Sequence, residues 1–237
     1  MIPIRDDTPT YSTPFINYLL IALNALVFLF EVSLAPRTRE AFVFQFGVEP
    51  TRVLAAFGLT NVYVPHASAV PLLTSMFLHA SWLHLIGNMW VLWIFGDNIE
   101  DYLGHFPYLI FYLVSGLAAS VAHILLNASS AVPSVGASGA IAGVMGAYFV
   151  LFPSARVLTL VPLIIFFTFV WLPAWIVLGF WFVMQFLSGA ATSIAFSSRT
   201  GGGGGIAFWA HVGGFLAGII MIKLMPQRLN RRARYTY

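Results

Sequence analysis

Long apolar stretches recur along this chain and leave few folds open to it. Crossing about 30 Å of hydrocarbon takes about 20 predominantly apolar helical residues. Runs of that kind lie at Phe15–Leu34, Trp82–Tyr102, Pro107–Leu126, Ala137–Phe152, about Leu172–Ala191 and Ile206–Met225. Charged residues make up 8% of the chain, against about 25% in a globular domain, and the mean hydropathy is +0.88. The expected fold class is therefore all-α and integral to the membrane, a bundle of six transmembrane helices. With no cysteine in the chain, a disulfide framework and a thiolate-held metal are both excluded. The net charge of +3 does not point to nucleic acid. It is concentrated in Arg228, Arg231, Arg232 and Arg234, a short basic tail suited to the anionic headgroups of a lipid bilayer.

Orientation follows from the bases. The excess of Lys and Arg belongs on the cytoplasmic side. Placing Arg5, Arg156, Lys223 and the four tail arginines inside leaves Arg37, Arg39, Arg52 and Arg199 outside, which requires an even number of crossings and puts both termini in the cytoplasm. Three regions result: a cytoplasmic N-terminal tail over 1–14, a six-helix membrane domain over 15–225, and a basic cytoplasmic tail over 226–237. The first apolar run lacks the basic start and clear cleavage site of a signal peptide and is expected to be retained. The first outer connection, Ala35 to about Val70, is too hydrophobic for a free linker and should fold as short interfacial helices. Val157 to Val170, interrupted by Pro162, is expected to lie along the interface or re-enter the bilayer. The run Gly201–Gly205 reads as a flexible outer loop.

With this topology the second, fourth and sixth helices all start at the outer face, and each carries a polar group near its start. The second holds His84 and Asn88, an i, i+4 pair on one face, with His79 just before it. The fourth, in "SVGASGAIAGVMGAYFV", opens near Ser138, between Gly136 and Gly139. The sixth carries His211 about five residues in, roughly 7 to 8 Å below its start at 1.5 Å per residue. Taken singly, each could be an interhelical hydrogen-bond or packing residue. Their common depth gives them a second meaning, because a serine, an imidazole and amide donors are the parts of acyl transfer. His211 can take the serine proton only if the fourth and sixth helices approach closely. Gly139, Gly143 and Gly146 on one, and Ala207, Gly214 and Gly218 on the other, make small-residue stripes that allow this. Glu31, Asp97, Glu100 and Asp101 lie at or near the wrong ends of their helices to complete a triad, so a Ser-His dyad is expected. His66 and His105 are expected to face solvent or headgroups. His123, near the outer end of the third helix, is expected to make an interhelical hydrogen bond.

The order "HASWLHLIGNMW", "GASG", "AHVGGFLAG", together with Gly96, Glu100 and Gly104 in a G-x-x-x-E-x-x-x-G pattern, resembles the rhomboid intramembrane serine proteases over about Phe15 to Met225. That resemblance implies a rhomboid-like six-helix bundle with Ser138 as nucleophile and His211 as general base. Asn88 and His84 would form the oxyanion hole, with Gly136, Gly139 and His79 in support. It implies cleavage of peptide bonds in or near transmembrane segments of substrate proteins, with no metal and no cofactor, in a multi-pass prokaryotic inner or plasma membrane protein whose site is near the outer face. Glu100 would be structural, and the fifth helix with the Gly201–Gly205 loop would gate and cap the site. Some family members carry an aromatic four residues after the serine that stacks on the histidine. Here that position is Ala142, so another residue must hold His211. The first outer connection also lacks the Trp-Arg pair seen in some members. Two rival readings are an inactive rhomboid-like protein that binds membrane clients, which would be expected to lack Ser138 or His211, and a small channel or transporter, which would show repeats or a polar path at mid-bilayer.

Overall fold

A computed structural model of the chain describes residues 1–60, 63–64, 66–163, 166–197 and 207–225. The expected Gly201–Gly205 loop and the basic tail over 226–237 lie outside the described residues. In chain order the elements are strand β1 (Ile2–Asp6), helices α1 (Phe15–Ser33), α2 (Pro36–Phe46), α3 (Pro50–Ala56) and α4 (Pro71–Thr74), a 3-10 turn at Ser75–Phe77, helices α5 (Trp82–Leu103), α6 (His105–Leu126) and α7 (Ser138–Leu151), strands β2 (Arg156–Leu163) and β3 (Phe166–Pro173), and helices α8 (Ala174–Ser197) and α9 (Phe208–Leu224). Each of the six apolar runs forms a helix whose ends fall within about two residues of those expected, except that α8 continues past Ala191 to Ser197. Phe15–Ser33, His105–Leu126 and Ala174–Ser193 are both long and apolar enough to cross a membrane, while Ser138–Leu151 and Phe208–Leu224 are shorter apolar helices. The first outer connection forms the expected short helices. Three of them, α2, α3 and α4, begin with proline in the first turn, where its missing N–H costs no hydrogen bond.

The bundle is centred on α7, in which every residue from Gly139 to Tyr148 is buried. The contact of α7 with α9 is made in part by the two backbones, which meet directly. A Cβ built on Gly214 would stand 2.0 Å from the carbonyl oxygen of Gly139, and one on Gly218 would stand 2.0 Å from that of Gly143. From the other side, a Cβ on Gly146 would be 2.2 Å from the carbonyl oxygen of Phe215. Lipid is as apolar as a leucine side chain, so association inside a bilayer depends on contact of this closeness.

At one end of the bundle the helices are tied by the G-x-x-x-E-x-x-x-G segment of α5. Helix α1 starts after Pro14 without a side-chain cap of its own, leaving first-turn donors unpaired. Glu100, fully buried, supplies the cap from α5, accepting from the N–H groups of Ile16 at 2.9 Å and Asn17 at 2.6 Å. A negative group at a helix N-terminus is also favoured by the macrodipole. Gly96 leaves the space that Asn17 fills, since a Cβ there would be 2.2 Å from Asn17 Oδ1. That amide donates to the Leu92 carbonyl and accepts from the Tyr108 hydroxyl. Gly104 turns the chain into α6 with φ of 88°. The structural role expected of Glu100 thus has a physical content. His105, expected to face headgroups, places Nδ1 2.5 Å from Glu100 Oε1 and is about half exposed.

One region departs from an all-helical reading. Val157 to Val170, expected to lie along the interface or re-enter the bilayer, is extended: β2 and β3 form an antiparallel hairpin, and β1 adds to β2 as a third strand. The sequence favours this locally. Val157, Thr159, Val161, Phe167, Phe169 and Trp171 are β-branched or aromatic, and Pro162 and Pro173 oppose a continuous helix. The residues before α1, expected to be a tail, are held throughout. Tyr148 donates to Asp6 at 2.5 Å, Thr10 donates to Asp97 at 2.7 Å, Ser12 donates to Asp101, and Arg156 Nε donates to Asp7 at 2.9 Å. Desolvation raises the Asp6 carboxyl above its ordinary value, against the lowering effect of the Tyr148 and Thr8 hydrogen bonds.

Replacing Gly218 by Ala should lower the thermal unfolding midpoint in detergent, at a cost of about 1–3 kcal/mol for overpacking against backbone. Gly87→Ala on the open face of α5, where an added Cβ meets nothing within 4 Å, should leave the midpoint unchanged or slightly raised. Equal midpoints for the two variants would contradict the backbone contact.

Candidate active site

Four loops and helix starts converge at the end of the bundle opposite Glu100. The segment leading to α7 is fixed first. Val48, from the connection between α2 and α3, pairs with Ser134 through two backbone hydrogen bonds of 2.9 and 2.8 Å. The N–H of Gly136 donates to the Ser75 carbonyl at 2.9 Å. Gly136 has φ of 133°, a conformation that disfavours any side chain, and it packs against His84. A Cβ there would be 2.7 Å from His84 Cε1, 2.8 Å from Nε2 and 3.6 Å from Ser138 Oγ. The glycine therefore serves twice: it makes the turn that presents Ser138, and it admits the His84 ring beside it. Gly139 has a different function from freeing the backbone near the hydroxyl. It lets α6 close in, because a Cβ there would lie 2.6 Å from that of Ala119.

Ser138 is the first residue of α7, and His211 sits in the first turn of α9, 8% exposed. The glycine contacts between those helices bring Ser138 Oγ to 2.7 Å from His211 Nε2. The other ring nitrogen, Nδ1, lies 2.7 Å from Gln185 Oε1 on α8. Trp181, one turn earlier on α8, tilts its ring at 40° to the imidazole with centroids 5.6 Å apart. Trp181 thus supplies an aromatic contact to the ring where Ala142 has no aromatic to offer. Neither residue was among the sequence candidates. A signal existed: Gln185 is the one strongly polar side chain between Pro173 and Ser188, and polar side chains in apolar helices tend to bond across to a neighbour.

The donors on α5 are arranged around His79. Ser81 caps the helix by accepting from the His84 N–H, which sets the phase that places His84 and Asn88 on one face. Asn88 is buried with its Nδ2 3.0 Å from His79 Nε2, and the His79 and His84 rings meet edge to face at 5.1 Å. His79 lies in the connection before α5. Burial, with His84 adding to it, pushes its imidazole down to about 4, so at neutral pH the ring is uncharged and Nε2 can accept from the Asn88 amide. Glu31 corrects an expectation. It lies on the site's side of the bundle, fully buried, where Oε1 accepts from the His79 N–H at 3.1 Å; it steadies the His79 loop. His123 shares a small cavity with Ser138, Ser75, Ser120 and Ser134; Asn127, just past the end of the same helix, donates to its carbonyl at 2.9 Å and lies 3.4 Å from its Nδ1, and no interhelical hydrogen bond to its ring is seen among the described residues. His66, in the connection between α3 and α4, accepts through its carbonyl from Arg52.

The Rhomboid domain model matches residues 66–228, which contain Ser138, His211 and the α5 histidines. Among curated proteins, the chain is similar to Rhomboid protease GluP of Bacillus subtilis (strain 168), 35% identical over 136 residues, which cover 56% of this chain and 24% of that protein. It is similar to Rhomboid-like protein 11, chloroplastic, of Arabidopsis thaliana, 27% identical over 177 residues that cover 72% of this chain and 58% of that one. Presenilin-associated rhomboid-like protein A, mitochondrial, of Danio rerio is 36% identical over 100 residues, 41% of this chain and 26% of its own length. The chain thus spans under two thirds of the length of each of these relatives. With apolar helices long enough to span a bilayer, this is a multi-pass integral membrane protein. The family model covers well over half of the sequence, from the loop before α4 through the end of α9, and on that ground the chain belongs to the Rhomboid family.

Proposed function

We propose that this chain is an intramembrane serine protease that hydrolyses peptide bonds in or near transmembrane segments of membrane proteins, using Ser138 as nucleophile and His211 as general base. The observation that carries the reading is the 2.7 Å approach of Ser138 Oγ to His211 Nε2, made between the first turns of α7 and α9. A serine hydroxyl is a weak nucleophile until a neutral imidazole within hydrogen-bond reach removes its proton. Attack on the scissile carbonyl moves that proton from Oγ to Nε2 and leaves negative charge on the carbonyl oxygen. The imidazolium then gives the proton to the leaving amine, and a water repeats the sequence to release the acyl group from Ser138.

The developing oxyanion needs donors. Ser138 opens α7, so its N–H belongs to a first turn whose donors have no partner within the helix. Asn88 and His84 are the side-chain donors from α5. The Asn88 amide has two N–H bonds, of which the contact with His79 uses one, leaving the second for the substrate. His84 stands against Gly136 beside the serine. In this reading both termini are cytoplasmic and the site is near the outer face, with the Lys and Arg distribution as support.

Fluorophosphonate should label the native protein, and Ser138→Ala should remain unlabelled; equal labelling of the two would remove Ser138 from the nucleophile role. His211→Ala should abolish cleavage of a reconstituted transmembrane-helix substrate while the unfolding midpoint stays near native, and near-native turnover would mean that a different group is the base. Asn88→Ala should lower kcat by about 10- to 1000-fold if its amide is a main oxyanion donor. An unchanged kcat would take Asn88 out of that role.

A further inference from the structure

The base in the proposed dyad needs one particular tautomer. To receive the serine proton, His211 Nε2 must be free of hydrogen, so the ring hydrogen must sit on Nδ1. An acceptor opposite Nδ1 favours that form, and a donor there would favour the inactive one. The group present is Gln185 Oε1 at 2.7 Å. Its neighbour Trp181 is at i−4 and therefore on the same face of α8, against the same imidazole. Among the described residues, the remaining side chains with a bearing on the charge of His211 are histidines, His84 from α5 and His123 from α6. The acidic side chain nearest in role, Glu31, is engaged with the His79 backbone.

Resting on the Ser138–His211 reading above, we propose that Gln185 is the positioning residue of this protease: its side-chain carbonyl accepts the Nδ1 hydrogen of His211 and holds the base in the tautomer that can deprotonate Ser138. A neutral amide takes the place that a carboxylate holds in a serine triad. The choice suits a site built between apolar helices, where an unpaired carboxylate would carry a large desolvation cost. It also fixes where the base is controlled. His211 belongs to α9 and its serine to α7, but both holds on the ring, the hydrogen bond and the tryptophan, come from α8. The imidazole is in register for chemistry only while α8 is packed on α9.

The test is the rate at which a fluorophosphonate probe labels the full chain in detergent micelles, followed from about pH 5 to about pH 9 across the imidazole range, for native protein, Gln185→Met, Gln185→Glu and Ser138→Ala. Methionine nearly keeps the volume and removes the strong acceptor, so labelling should slow about 10- to 100-fold through loss of the hydrogen bond and of tautomer control. Glutamate keeps an acceptor and adds negative charge that favours the imidazolium. It should restore labelling at high pH to near the native rate and move the half-maximal pH upward by about one unit or more. A native rate for Gln185→Met, a glutamate variant as slow as the methionine one at every pH, or a glutamate profile superimposed on the native one would each overturn the role. The upward displacement is something that loss of packing would not produce. Ser138→Ala separates the two readings. If it stays unlabelled while Gln185→Met labels at the native rate, only the Gln185 role falls; if it labels like the native protein, the nucleophile assignment falls and this role with it.

Discussion

The backbone contact between α7 and α9 is the constraint on which the rest depends. Three glycines place helix carbonyls where a Cβ would otherwise be, and this closeness sets the distance between the serine at the head of one helix and the histidine in the first turn of the other. The remaining helices are then arranged around a pair whose separation is already set. Helix α6 enters by the same device, with Gly139 facing Ala119 and Gly143 facing Ser115. Helix α5 brings the His79, His84 and Asn88 cluster, and α8 brings Gln185 and Trp181. The Ser138–His211 distance of 2.7 Å is thus a product of packing between main chains, which are far less free to rearrange than side chains.

Polar groups divide between two ends of the bundle, and each end solves a different problem. At one, Glu100, Asn17 and Tyr108 saturate one another and the start of α1, so a buried carboxylate is matched by donors, as burial of charge demands. At the other, the groups are linked more sparsely: Ser138 to His211 to Gln185, and Asn88 to His79. Sparse linkage leaves donors and a hydroxyl available to something other than the protein itself. The contrast separates a saturated polar network from one with free hydrogen-bonding capacity, and it is the second that the proposed chemistry uses.

Much of this was legible in the sequence, for identifiable reasons. Helix positions follow from apolar length, which the bilayer dictates, and the Ser138–His211 pairing follows from equal depth plus stripes of small residues. Partners of the ring were not legible in the same way. Ala142 showed that no aromatic came from α7, but which residue of a uniformly apolar helix turns toward α9 depends on its rotation, and α8 offers almost no polar pattern from which to read one. The hairpin was missed for another reason. Its strands are as hydrophobic as the helices, and hydropathy measures burial without distinguishing backbone conformation. Proline spacing and β-branched residues held the information, yet the third strand came from residues that, read alone, were only a tail. Glu31 was misplaced although the expected topology puts it near the same end of the bundle as His79; what the sequence does not show is the buried contact between the two.

The three-stranded sheet also imposes an order in time. Ile2–Asp6 is made first, yet its partner strand Arg156–Leu163 leaves the ribosome only after four of the long helices have been made. Until then, Asp6 and Asp7 lack Tyr148 and Arg156, and the start of α1 must wait for Glu100. Contacts across such separations close slowly, because loop entropy is lost before any bond is gained. The N-terminal segment therefore acts as a latch on assembly, one that can close only around a bundle whose first four helices are already in place.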